Sequence, residues 1–158
     1  MIVKTFTWPD ESATADFAAR LVAQWCSLPS PLDMVLLLDG DLGAGKTTLV
    51  RHVLRALGVH GRIKSPTYAV VEPYDTALAP VWHFDFYRFN DPREWEDAGF
   101  RDLFASPGLK LVEWPEKAGP LLPVADWTLH VAVQDDDVRH VRIEAATPTG
   151  EHLLQALS

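Results

Sequence analysis

The sequence predicts an α/β fold, a mixed parallel and antiparallel sheet flanked by helices, and three stretches carry that prediction. Met34-Val35-Leu36-Leu37-Leu38 is an unbroken apolar run of the kind a parallel sheet buries on both faces. Leu49, Val50, Val53, Leu54 and Leu57 then recur at helical spacing, and a glycine-rich segment joins the run to the helix. Near the other end, Trp127 to Val133 and Val138 to Ala145 flank the acidic turn Gln134-Asp135-Asp136-Asp137, which predicts an antiparallel hairpin. At 158 residues, with 47% hydrophobic and 23% charged, the chain is expected to form one domain spanning residues 1–158.

Each element has its own reason. Ile2 to Thr7 reads as a short strand by its β-branched content. Asp10 or Ser12 caps a helix whose Ala13, Phe17, Ala18, Leu21, Val22 and Trp25 form one apolar stripe, and Pro29-Ser30-Pro31 ends it. The helix after the glycine segment stops at Gly58. Ala69 to Tyr74 is an edge strand, because Pro73 has no N–H for a ladder. Val81 to Arg88 alternates, with Trp82, Phe84 and Phe86 on one face and His83, Asp85 and Tyr87 on the other. These two strands are expected to pair as an antiparallel ribbon. Asp91-Pro92-Arg93-Glu94 resembles a helix start, Gly99 interrupts, and a second short helix runs to Ala105. Leu109 to Trp114 is a buried strand ending on a carboxylate and stopped by Pro115. Gly150 precedes a terminal helix bearing Leu153, Leu154 and Leu157.

The segment Gly40 to Thr47 fits G-x-x-x-x-G-K-[ST], and its strand-then-helix context makes it a phosphate cradle of the P-loop NTPase kind. Glycines let the backbone turn tightly and aim successive N–H groups inward, and the following helix adds its positive dipole end. The predicted nucleotide-binding run is Asp41, Leu42, Gly43, Ala44, Gly45, Lys46, Thr47 and Thr48. Lys46 reaches the terminal phosphates, and the Thr47 hydroxyl ligates magnesium.

Hydrolysis also needs a carboxylate from another strand and a group that positions water. Asp85 and Glu113 each follow an apolar-rich strand, and both emerge beside the cradle if those strands run parallel to Met34–Leu38. A carboxylate in isolation is more often a cap or an ion-pair partner; two beside such a cradle favour a metal and water site. Thr67, in Ser65-Pro66-Thr67, offers a hydroxyl to magnesium or a terminal phosphate, or is part of a plain turn. Trp114 either lines the crevice or is a core aromatic. Tyr87 and Arg88 face a partner or the phosphates, and Arg88 also reads as a surface ion-pair residue.

Composition closes several doors. A net charge of −8 argues against a large basic surface for nucleic acid. Cys26 is the sole cysteine, and the six histidines show no ligand spacing, so no cysteine-based zinc site is expected. The start of the chain lacks a cleavable apolar region and nothing reaches transmembrane length, so a cytoplasmic location with no membrane contact is the expectation.

Taken in order, Gly40-Asp41-Leu42-Gly43-Ala44-Gly45-Lys46-Thr47-Thr48-Leu49, Ser65-Pro66-Thr67-Tyr68, His83-Phe84-Asp85-Phe86-Tyr87-Arg88 and Glu113-Trp114 resemble the bacterial TsaE (YjeE) family of small P-loop ATPases. The resemblance implies ATP and Mg2+ as cofactors, and TsaD- and TsaB-like proteins as partners in forming threonylcarbamoyladenosine on tRNA. The tRNA would be met only indirectly, through those partners, and slow hydrolysis would reset the assembly. It further implies Thr47 and Glu113 as magnesium ligands and Asp85 as a water-positioning group or outer partner of the metal. Thr67 would sense the terminal phosphate, and Trp114 and Arg139 would lie near the nucleotide. Two rival classes are a small-molecule kinase, for which no lid segment is visible, and a nucleotide-dependent docking module without required turnover. A GTPase switch is disfavoured, since neither D-x-x-G after Asp85 nor N-K-x-D occurs.

Overall fold

In the computed structural model the strands and helices follow in the order β1 (Ile2–Trp8), α1 (Glu11–Trp25), β2 (Met34–Asp39), α2 (Lys46–Ala56), β3 (Val71–Asp75), β4 (Pro80–Asp85), α3 (Phe100–Ala105), β5 (Leu109–Glu113), β6 (Trp127–Val133), β7 (Arg139–Ala145) and α4 (Pro148–Ala156). The structure describes residues 1–29, 32–63, 66, 70–89, 91, 93, 99–134 and 136–157. The strands form one seven-stranded sheet in the order β1-β7-β6-β2-β5-β4-β3. Its middle, β6-β2-β5-β4, is parallel, and its two flanks are antiparallel. The mixed α/β architecture expected from the sequence is therefore the one observed, with β3 at an edge as Pro73 requires.

The two faces of the sheet carry separate cores. On one, α1 and α2 pack Phe17, Leu21, Trp25, Leu49, Val53 and Leu54 against Leu36, Leu38, Leu111 and Leu129. On the other, Phe84, Phe86, Phe89, Phe100 and Phe104 cluster with Val35 and Val112, the Phe84 and Phe104 rings standing 4.6 Å apart. The alternation along β4 sorts its residues between them: Phe84 enters the aromatic cluster, whereas Val81 joins the helix-covered core. Asp10 supplies the cap of α1, its carboxylate accepting from Ala13 N at 2.9 Å. At the end of α2, Gly58 N and Val59 N donate to Arg55 O and Leu54 O, both at 3.0 Å, which is the Schellman closure.

Several boundaries differ from expectation. The strand predicted to run to Arg88 ends at Asp85, because the Asp85 carboxylate accepts from Tyr87 N at 3.0 Å and turns the chain off the ladder. The helix α1 ends at Trp25, ahead of the proline segment, of which residues 30 and 31 lie outside the described residues. Gly150 lies inside α4 instead of before it, since Thr147 is the cap and accepts from Gly150 N at 3.0 Å. The helix start expected at Asp91-Pro92-Arg93-Glu94 falls mostly outside the described residues; within them Arg93 N donates to the Asp91 carboxylate at 2.9 Å.

The position of Gly150 reverses an ordinary rule. A helical Gly→Ala change usually stabilises by about 1 kcal/mol, but a Cβ here would stand 2.4 Å from Asp126 O and 3.1 Å from the Trp127 ring. Gly150→Ala is therefore expected to destabilise the fold by about 1–3 kcal/mol, measured by denaturant unfolding.

What positions a site is the common end of the parallel strands. Leu38 pairs with Glu113, and Glu113 with Asp85, so β2, β5 and β4 finish side by side where the segment leading to α2 begins. Among the described residues no helix is long and apolar enough to cross a membrane.

Candidate functional site

The glycine segment leaves β2 and enters α2 through Gly45, whose φ of +107° is a backbone conformation that L side chains resist. A helix start leaves its first N–H groups without partners within the helix, and Gly45 has no side chain to cap them. Gly40 is required for a different reason, since a Cβ there would stand 2.5 Å from Val131 O. The loop is thus pressed against β6 at one end and opens toward the cleft at the other.

Lys46, the first residue of α2, is nearly buried at 4% exposure. Its Nζ donates to Gly40 O at 2.5 Å and stands 3.7 Å from the centre of the Trp114 ring, a cation–π contact. Burial lowers its pKa from the usual 10.5, and the charges of Glu113, Glu116, Asp85 and Asp39 oppose that shift. Trp114 itself adopts φ +56°, unusual for a residue with a side chain, at the point where β5 ends. Its ring also meets that of Tyr87 at 4.9 Å.

Glu113, only 2% exposed, ends β5 facing Thr47. The Thr47 hydroxyl donates to its carboxylate, with Oγ1 at 2.9 Å from Oε1 and 3.1 Å from Oε2. On the far side, His83 Nε2 lies 2.5 Å from Glu113 Oε2. A carboxylate this deep is tolerable because polar partners meet it on both sides. Asp85, one strand over and half-buried, accepts a hydrogen bond from the Tyr87 amide of its own turn. Burial raises its pKa above the ordinary 3.8; the Tyr87 amide opposes this, Glu113 adds to it, and His83 and Lys46 work against it.

Arg139 opens β7 and reaches back to the loop, Nε donating to Ala44 O at 3.3 Å and Nη1 to Asp137 O at 2.7 Å. A Cβ on Gly45 would come within 3.3 Å of that Nε, so the guanidinium occupies room a side chain would take.

These residues surround one cleft of about 350 Å³, open to solvent and lying beyond the carboxyl ends of the parallel strands. Of the residues singled out from the sequence, Leu42, Gly43, Gly45, Lys46, Thr47, Thr48, Asp85, Glu113, Trp114 and Arg139 line it, together with Tyr87 and Arg88. Asp41 and Ala44 line instead a neighbouring hollow of about 520 Å³ on the other side of the loop, beside His130 and Val131. Thr67 lies outside the described residues; Pro66 and Val70, on either side of it, line the cleft.

Sequence reasoning passed over His83. Its contact with Glu113 is long-range, and its spacing from the other histidines fits no metal site. The available signal was its place two residues before Asp85, on the same strand face.

Known proteins share the fold and much of the sequence. A crystal structure of Bacillus subtilis YdiB superposes with a TM-score of 0.76 at 28% identity, covering 98% of this chain and 95% of that one. The tRNA threonylcarbamoyladenosine biosynthesis protein TsaE of Haemophilus influenzae is 39% identical over 150 residues, 95% of this chain and 94% of its own length. The TsaE protein of Bacillus subtilis is 36% identical over 124 residues, 78% of this chain and 77% of its own. Residues 8–141 match the family described as Threonylcarbamoyl adenosine biosynthesis protein TsaE. The ordered motifs, the sheet and the matched span together place the chain in the TsaE family, whose role lies in the biosynthesis of threonylcarbamoyladenosine in tRNA.

Proposed function

We propose that this chain binds ATP with magnesium in the cleft, hydrolyses it slowly, and by that cycle supports or resets a complex of TsaD- and TsaB-like partners during tRNA threonylcarbamoyladenosine formation. The observation that carries this reading is the convergence of Lys46, Thr47, Asp85, Glu113, Trp114 and Arg139 on one cleft from four separate stretches of chain.

The residues suit the groups they would hold. Gly45 at +107° and the uncapped start of α2 offer backbone amides to phosphate oxygens. Among the described residues no three His, Cys, Asp or Glu side chains are grouped to hold a metal alone. One hydroxyl and one carboxylate do meet, at 2.9 Å between Thr47 Oγ1 and Glu113 Oε1. That sparse donor set suits magnesium, which takes few protein ligands and completes its shell with phosphate oxygens and water. Bound there through Thr47 and Glu113, the ion would neutralise charge on the terminal phosphates.

The chain's own groups then divide the work. Lys46 holds its ammonium at the loop on a carbonyl and a ring face, ready to exchange Gly40 O for a phosphate oxygen. Asp85, made a stronger base by burial, orients a water and takes its proton. Arg139 and Trp114 border the nucleotide, and Thr67 senses the terminal phosphate on the strength of its sequence position. With a net charge of −8 the chain leaves tRNA to its partners.

Calorimetric titration with Mg-ATP, alone and with TsaD and TsaB, tests the binding half; absence of heat in both settings would overturn it. Multiple rounds of tRNA modification by TsaD and TsaB should require this chain and hydrolysable ATP. Equal product with a non-hydrolysable analogue would make the protein a docking module instead.

A further inference from the structure

We infer that His83 is a positioning residue for the metal site: it fixes the Glu113 carboxylate so that it faces the Thr47 hydroxyl. The inference rests on the assignment of Glu113 to magnesium and adds a residue to it.

The placement is dictated by the sheet. The strands β4 and β5 run parallel with Asp85 opposite Glu113 and His83 opposite Leu111, so His83 sits one pleat behind the carboxylate on the same face. Its side chain is fully buried. Nε2 lies 2.5 Å from Glu113 Oε2, while Nδ1 has no hydrogen-bond partner among the described residues. A ring carrying one proton must carry it on Nε2, because the carboxylate only accepts; Nδ1 is then a lone pair, far cheaper to leave alone than an N–H.

The consequence is directional. A glutamate at the end of a strand has three rotatable bonds and would otherwise sample several orientations. Here one oxygen is tied to the imidazole from within the core, and the remaining lone pairs are turned toward α2, where Thr47 Oγ1 lies within 3.1 Å of both oxygens. Among the described residues Asp85 has no comparable support, being bonded to the Tyr87 amide of its own turn. The two acids therefore differ in kind: Glu113 is locked and Asp85 is adjustable, as a ligand and a base respectively should be.

The test compares His83→Leu, His83→Gln and His83→Asn with the native protein, using Mn2+ as probe. Mn2+ binding is followed by electron paramagnetic resonance with a non-hydrolysable ATP analogue present, and analogue binding is measured separately in chelator. His83→Leu should weaken Mn2+ by about 10- to 100-fold while metal-free analogue affinity changes by less than about twofold. The amide nitrogen of His83→Gln reaches the position of Nε2 and should restore most of the loss; that of His83→Asn stops near Nδ1 and should not. Native Mn2+ affinity in folded His83→Leu would overturn the inference. So would equal affinities for His83→Gln and His83→Asn, a comparison that stands even if His83→Leu does not fold. Glu113→Gln separates the two levels: if it also binds Mn2+ like the native protein, the metal assignment itself fails, whereas a loss in Glu113→Gln alone removes only His83.

Discussion

Lys46→Ala is expected to lower Mg-ATP turnover by about 10²–10³-fold, the cost of removing one preorganised charge-stabilising donor. Nucleotide binding should weaken in parallel, because the ammonium would serve ground state and transition state alike. The side chain is 4% exposed, yet its direct contacts are the Gly40 carbonyl and the Trp114 ring. The fold should therefore survive its loss, and a melting curve close to that of the native protein is part of the expected result. Lys46→Arg should not rescue, since a planar guanidinium cannot occupy the compact space between that carbonyl and that ring. Calorimetry and a phosphate-release assay on the same preparations check both statements. A Lys46→Ala protein that binds Mg-ATP as the native one does would remove the glycine segment from the mechanism.

Asp85→Asn is expected to move activity and stability in opposite directions. Hydrolysis should fall by about 10²–10⁴-fold, the usual worth of a positioned general base, with nucleotide binding retained. Stability at neutral pH should rise. Because burial holds the folded-state pKa of Asp85 above 3.8, the folded protein keeps this proton to a higher pH than the unfolded chain does. The contribution of Asp85 thus favours folding only at low pH and declines as pH rises from about 3.8 through the folded-state value. Above that window the ionised carboxylate is a standing penalty, which asparagine lacks. Melting curves of the two proteins should separate at pH 7 and converge as the pH falls through the window. The same shift places the acid limb of native hydrolysis above the range of an ordinary aspartate. A variant that is less stable than the native protein at pH 7 would contradict this account of Asp85.

Much of the framework was legible because it is local. The apolar run of β2 and the stripes of α1 and α2 are periodic signals within single segments, and Pro73 announced an edge strand by what it lacks. The glycine segment was legible for the same reason, its chemistry being written in consecutive residues. The boundaries that went astray did so through contacts from elsewhere or through a side chain bonding its own turn. Gly150 sits within α4 because Thr147 caps the helix and accepts from Gly150 N, and β4 stops where the Asp85 carboxylate accepts from Tyr87 N.

The sequence by itself determined the kind of chemistry: a phosphate-shaped loop, a lysine and a threonine at its end, and acids at the ends of other strands. Only the tertiary structure decided how those acids differ. The parallel register of β4 and β5 sets Asp85 beside Glu113, buries His83 against one of them and leaves the other on the turn at the cleft wall. Arg139 likewise reaches the loop only because β7 folds back on β6. A motif can specify which groups a reaction needs, but the environment that locks one carboxylate and raises the pKa of its neighbour comes from strands distant in sequence.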